Sequence, residues 1–113
     1  MQIQKPWGHV KEYALNQTAT VRIINLQSGQ ETSLHSHNLR DDMWVILDEG
    51  VRVQIGEEVK DTQIGDEYVI PAETLHRIFS GESPARILEI AFGYASEEDI
   101  IRIADEYGRI VED

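Results

Sequence analysis

Hydrophobic positions recur along this chain in short runs, many with a period of two, and each run is closed by glycine, proline or acidic residues. Thr20 to Leu26 is rich in β-branched residues and leads into a turn at Gln27-Ser28-Gly29-Gln30. Glu31 to His37 can alternate, with Leu34 and Ser36 on one face of a strand and Ser33, His35 and His37 on the other. Asn38 to Asp42 is polar and reads as a loop before the apolar run Met43 to Leu47 and a turn at Asp48-Glu49-Gly50. Val51, Val53 and Ile55 alternate with Arg52 and Gln54, as in a half-buried strand. Gly56-Glu57 reads as a hairpin turn, and Val59 to Gln63 returns. Tyr68 to Ile70 stops at Pro71; His76 to Phe79 and Ala85 to Phe92 complete the series. Short strands at such close spacing predict an all-β sandwich or barrel.

The end of the chain has a different pattern. Ser96 followed by Glu97, Glu98 and Asp99 has the form of a helix start, a hydroxyl cap with acids in the first turn. Ile100, Ile103, Ala104 and Tyr107 fall on one helical face, and Gly108 stands where a terminating glycine belongs. The expected organisation is therefore one domain over residues 1–113, with a barrel over about 1–94 and an amphipathic helix over about 96–107.

Composition narrows the functional classes. The 113 residues carry 41% apolar side chains, enough for one core, and no cysteine. A metal site must then use histidine and carboxylate. The net charge of −11 opposes binding to nucleic acid or an anionic membrane, and it obliges any anionic ligand to find a local cationic cluster. Met1 to Val10 lacks the apolar run of a signal peptide, and no stretch approaches 18 apolar residues, so a cytoplasmic location is expected.

His35 and His37 lie two apart, so a strand points both imidazoles to one face. His76 lies on another expected strand, and Asp42 follows His37 by five residues. Such a set suits one divalent ion among Zn, Mn, Fe, Ni and Co. His9 reads as an ordinary surface or packing histidine.

The punctuation around these residues resembles a known family. Gly29, five residues, His35-Ser36-His37, four residues, Asp42 resembles the first cupin motif, and Gly65, five residues, Pro71, then His76 resembles the second. Asp42 stands where that family usually has Glu, with Asp41 as the alternative carboxylate; Glu73 replaces the second-motif glycine and Ser80 its asparagine. The resemblance implies a double-stranded β-helix, or jelly-roll barrel, with the metal on His35, His37, Asp42 and His76.

A closer likeness runs nearly end to end. Lys5-Pro6-Trp7-Gly8, Thr32 to His37, Arg40 to Val45, Tyr68 to Pro71, Thr74 to Arg77 and the block from Gly93 to Arg109 resemble the mannose-6-phosphate isomerase domain at the C-terminus of bifunctional type II phosphomannose isomerase/GDP-mannose pyrophosphorylase enzymes. The resemblance implies interconversion of mannose 6-phosphate and fructose 6-phosphate. A bound ion would polarise the sugar carbonyl and a base would move a proton between C1 and C2. Arg40 matches the family's functional arginine, and Lys5, Arg77 and Arg109 are candidate phosphate ligands. Met43 replaces a family histidine, which leaves no evident general base. Two other classes stand beside the isomerase: a non-catalytic cupin that binds a sugar or sugar nucleotide, and a metal cupin of other activity such as a dioxygenase. Pairing of uncovered sheet edges predicts a homodimer.

Overall fold

The computed structural model describes residues 1–105, and every regular element in them is a β-strand. β1 (Gln2–Lys5) and β2 (Gly8–Lys11) form an N-terminal hairpin. The body comprises β3 (Ala19–Leu26), β4 (Leu34–Ser36), β5 (Arg40–Ile46), β6 (Arg52–Ile55), β7 (Glu58–Asp61), β8 (Glu67–Ile70), β9 (His76–Phe79), β10 (Ala85–Gly93) and β11 (Ile101–Ala104). One sheet has the order β3-β10-β5-β8 and the other β11-β4-β9-β6-β7, with every pairing antiparallel. No helix of the described residues is long and apolar enough to cross a membrane.

The two-residue period decides what lies between the sheets. Across the four-stranded sheet the register aligns Ile24, Ile87 and Ile46 in one row and Arg22, Glu89, Trp44 and Tyr68 in the next. Ile46, Ile87, Val51, Val53, Ile70 and Ile78 are all but sealed from solvent and pack with Leu26, Trp44 and Ala85 into one core. Each such aliphatic side chain contributes about 1.5–3 kcal/mol relative to an exposed one. The offset rows lie on the opposite face of the sheet and include the exposed Val21 and Val69, the half-buried Met43 and the buried Ile90.

Two expectations from the sequence are corrected. Residues 38–42 do not all form a loop: Arg40, Asp41 and Asp42 open β5. Their polarity concealed a strand because Arg40 and Asp42 turn inward onto other polar groups and are buried there. The expected helix over about 96–107 is also absent from the described residues. Ser96 Oγ accepts the Glu98 N–H at 3.2 Å and Ser96 O the Asp99 N–H at 3.1 Å, but the cap encloses a single turn. Ile101–Ala104 then pairs with β4. Asp99 accounts for this, since its carboxylate accepts the N–H groups of Asn38 and Leu39 at 3.0 and 2.9 Å and lays the following β-branched residues along an open sheet edge. Tyr107 and Gly108, also assigned to that helix, lie outside the described residues.

Two backbone details hold the end of the barrel where β4 turns into β5. Gly93 has φ +117°, and a Cβ there would stand 2.6 Å from Leu39 O, so only glycine lets β10 pass that close. Glu73 has φ 68°, the left-handed conformation for which a glycine is suited, and its N–H donates to His37 O at 2.6 Å. That bond ties the β8–β9 turn to the segment carrying His37.

Candidate functional site

His35 on β4 and His76 on β9 are direct partners across the sheet, and His37 follows β4 by one residue. Their ring centroids lie 4.4 Å (His35–His76), 5.0 Å (His35–His37) and 5.2 Å (His37–His76) apart, and one ring nitrogen from each lies within 4.8 Å of the others. Each Nδ1 faces a backbone carbonyl: Ser33 O at 2.8 Å for His35, Thr74 O at 2.8 Å for His76, and Asp99 O for His37. A carbonyl only accepts, so each Nδ1 carries the hydrogen and each Nε2 keeps its lone pair.

Burial keeps these rings neutral. Desolvation, with the neighbouring imidazoles adding to it, lowers His35 from 6.5 to about 3. Desolvation lowers His76 to about 4, against the opposing bond to Thr74 O. His37 is lowered for the same first cause, with the Asp99 carbonyl opposing. Three neutral imidazoles with convergent lone pairs are the donor set a divalent metal requires. The buried Nε2 of His76 has no hydrogen-bond partner among the described residues, so an ion there would satisfy an otherwise orphaned atom.

A charged layer lies beside them. Asp42, 2% exposed, places Oδ2 3.8 Å from the Nε2 atoms of both His37 and His76. Burial, reinforced by Glu89 and opposed by Arg40, raises its carboxyl to about 6. Arg40 Nε lies 3.0 Å from Asp42 Oδ1, and its Nη2 lies 2.9 Å from His37 Nε2 and 3.5 Å from Glu89 Oε1. With the lone pair on Nε2, Arg40 is the donor to His37, and an ion on His37 displaces that contact. Glu89 Oε2 accepts the indole N–H of Trp44 at 3.1 Å, and its Oε1 is 3.9 Å from Arg22 Nη1. A cavity of about 340 Å³ opens against this layer, walled by Arg22 and Glu89 from one sheet and by His35, His37 and Arg102 from the other side.

The family model described as mannose-6-phosphate isomerase, C-terminal, matches residues 1–105. The chain belongs to this family. The xanthan biosynthesis protein XanB of Xanthomonas campestris is 31% identical over 109 residues, which covers 95% of this chain and 23% of that protein. The mannose-1-phosphate guanylyltransferase of Escherichia coli is 27% identical over 111 residues, with 96% and 23% covered. The chain thus spans under a quarter of the length of these curated relatives. Among solved structures, KdgF from Halomonas sp. superposes with a TM-score of 0.67 at 16% identity over 75% of this chain and 77% of that one. A cupin protein from Bacteroides fragilis gives 0.61 at 20% identity over 91% and 96%. These likenesses establish the fold as the cupin double-stranded β-helix.

The cupin barrel gathers His35, His37, His76, Asp42 and Arg40 into one place. Asp41 is excluded from it: its Oδ1 accepts the Ala72 N–H at 2.7 Å, one residue out of phase with the inward row. Lys5 lies on the exposed N-terminal hairpin and is not among the residues lining the cavity. Arg77 spends Nε on Thr32 O and Nη2 on Ala104 O, each at 3.0 Å, so it fastens β11 to the barrel. Arg109 lies outside the described residues. Met43 faces a separate hollow on the outer face of the sheet, with Met1, Lys11, Tyr13 and Glu67. Sequence reasoning passed over Arg22, Glu89 and Arg102. The available signal was a charge at an inward position of an apolar alternation, Glu89 between Leu88 and Ile90 above all.

Proposed function

We propose that this cupin holds one divalent ion on His35, His37 and His76 with Asp42 as the accompanying carboxylate, takes a sugar phosphate in the adjoining cavity, and interconverts mannose 6-phosphate and fructose 6-phosphate. The observation that carries the reading is the convergence of three neutral imidazoles, each anchored through Nδ1, two of which, His35 and His37, line a cavity that also holds Arg40 and Glu89. Membership of the family agrees with it. When bound, the ion supplies Lewis-acid polarisation of a carbonyl oxygen.

The chain's own residues do the rest. Arg40, buried between Asp42 and Glu89, donates to an oxygen that gains negative charge as a proton leaves the sugar. Glu89 is the buried carboxylate of the cavity wall, and its Oε1 takes the proton-transfer role that the sequence had left open at Met43. Met43 points away from the cavity, so the loss of a histidine there removes nothing from it. The same reading places the protein in the cytoplasm as a homodimer; a monomer mass by light scattering at micromolar concentration would refute the pairing.

A second reading has its own observation. Arg40 Nη2 already satisfies His37 Nε2 at 2.9 Å, which favours a binding module that works without metal. A coupled assay for fructose 6-phosphate, run under nitrogen with Zn, Mn, Co, Ni or Fe(II) added to chelator-treated protein, separates the two. Turnover that requires an ion and vanishes in His37→Ala and Glu89→Gln is the expected result. A folded, metal-loaded protein that is only stabilised by the sugar phosphate would instead be the binding module.

A further inference from the structure

We propose that Arg102, assisted by Arg22, forms an anion subsite in the cavity and takes the phosphate of a phosphomonoester ligand. The inference rests on the cavity being the ligand site. It starts from an inversion of hydrophobic logic in β11. Ile101 and Ile103 face outward, 45% and 53% exposed, while Arg102 between them turns inward to line the cavity. A slip of one residue would bury both isoleucines and release the arginine to solvent. The register is pinned instead by the Asp99 carboxylate on the Asn38 and Leu39 N–H groups, which sets Arg102 opposite His35.

The other arginines near the cavity are already engaged. Arg40 has Asp42 at 3.0 Å and Glu89 at 3.5 Å, and Arg77 donates to two carbonyls. Arg22 has Glu89 at 3.9 Å. Arg40 Nε and Arg102 Nε are both buried with no hydrogen-bond partner among the described residues, but Arg40 Nε still has the Asp42 carboxylate at 3.0 Å as an ion-pair partner. Leaving a guanidinium N–H dry and unbonded is unfavourable, and an anion beside it removes that cost. Glu31 and Glu97 also line the cavity, so the anion's position follows the unsatisfied donor rather than a general excess of positive charge.

Placement gives the ligand a direction. The sheet order β11-β4-β9 puts Arg102 on the far side of His35 from His76. The anionic end of a ligand then sits at β11, and its other end reaches the imidazoles and Arg40. Arg22 comes from the opposing sheet, so the two guanidiniums approach from different walls. Their planar forks suit the oxygens of a phosphate monoester.

Calorimetric titration of the full chain tests this, with and without added Zn, using mannose 6-phosphate, mannose and inorganic phosphate. Mannose 6-phosphate should bind more tightly than mannose, and inorganic phosphate should compete with it. Arg102→Gln should weaken mannose 6-phosphate by about tenfold or more and leave mannose and Zn affinities unchanged. Arg22→Gln should do the same to a smaller degree. Arg52→Gln, which removes one charge from the exposed far side of the barrel, should change nothing. Should Arg102→Gln fail to fold, Arg102→Lys keeps the charge without the fork and should still weaken the phosphate ester. Unchanged affinity in the arginine variants, or equal losses for mannose and its phosphate, would overturn the subsite. A chain that binds phosphate in an Arg102-dependent way but takes up no Zn would support the subsite and sink the metal reading alone.

Discussion

The two ends of the barrel interior are built from the same strands and contain opposite chemistry. Along β5 the inward positions run Arg40, Asp42, Trp44, Ile46, and along β10 they run Ile87, Glu89, Ala91. One end is a dry cluster around Ile46, Val53, Ile78 and Ile87; the other gathers three histidines, two buried carboxylates and a buried arginine. The change takes about one strand turn, and Trp44 sits on the boundary, packing with the core, donating to Glu89, and meeting His76 edge to face at 5.5 Å. The contrast teaches that the apolar end carries the stability while the polar end draws on it, since each buried polar group there needs a partner that water no longer supplies.

Substitutions at the two ends should separate most. Ile87→Ala should lose about 4 kcal/mol in urea unfolding, a fully buried aliphatic side chain exchanged for a cavity. His76→Leu should lose no more than about 2 kcal/mol when metal is withheld, because it gives up the Nδ1–H bond to Thr74 O but also removes a buried Nε2 that lacks a partner. Equal losses at both ends would end the comparison.

Acidification comes next in size. His35 and His76 titrate near 3 and 4 in the folded chain against 6.5 unfolded, so the unfolded chain binds more protons across that window. Their contribution is complete above pH 6.5 and declines as the pH falls through it. Asp42 works in the opposite sense: raised to about 6 from 3.8, it contributes most at low pH and loses that contribution as the pH rises through 6. The histidines outweigh it, and a net loss of roughly 3 kcal/mol is expected between pH 7 and 4 in chelator. Asp42→Asn should steepen the decline. A urea midpoint that holds or climbs on acidification would show that the histidines are not buried neutral.

Smaller effects sharpen the boundary. Glu73→Gly should stabilise the chain by about 0.5–1 kcal/mol, the relief of left-handed backbone exceeding the added entropy of glycine. Met43→His should leave Zn affinity and any turnover within about twofold, as an outward residue beside an inward one. A large change in either measurement would place position 43 in the site after all.

Much of this was legible because strands have a period of two. The alternation around His35 and His37, and the run Val51, Val53, Ile55, fixed which side chains share a face, and the cupin resemblance joined His76 to them. Three features were not legible for one common reason: local pattern cannot report what lies across the sheet. Arg40 to Asp42 looked like a loop because its inward partners are themselves polar and distant in sequence. Ser96 to Asp99 looked like a helix cap because the groups that Asp99 satisfies, on Asn38 and Leu39, lie some 60 residues earlier. Glu89 and Arg102 were passed over because only the register across the sheets sets them inward.

The bond from His37 Nδ1 to the Asp99 carbonyl also sets an order in time. On the ribosome, the strands that hold the other two imidazoles emerge before residue 99 does and can pair first. His37 then has no anchor for its ring and no fixed tautomer. The third imidazole acquires its orientation only when the segment carrying Asp99 docks, so the three rings cannot be arranged before the closing strand is in place.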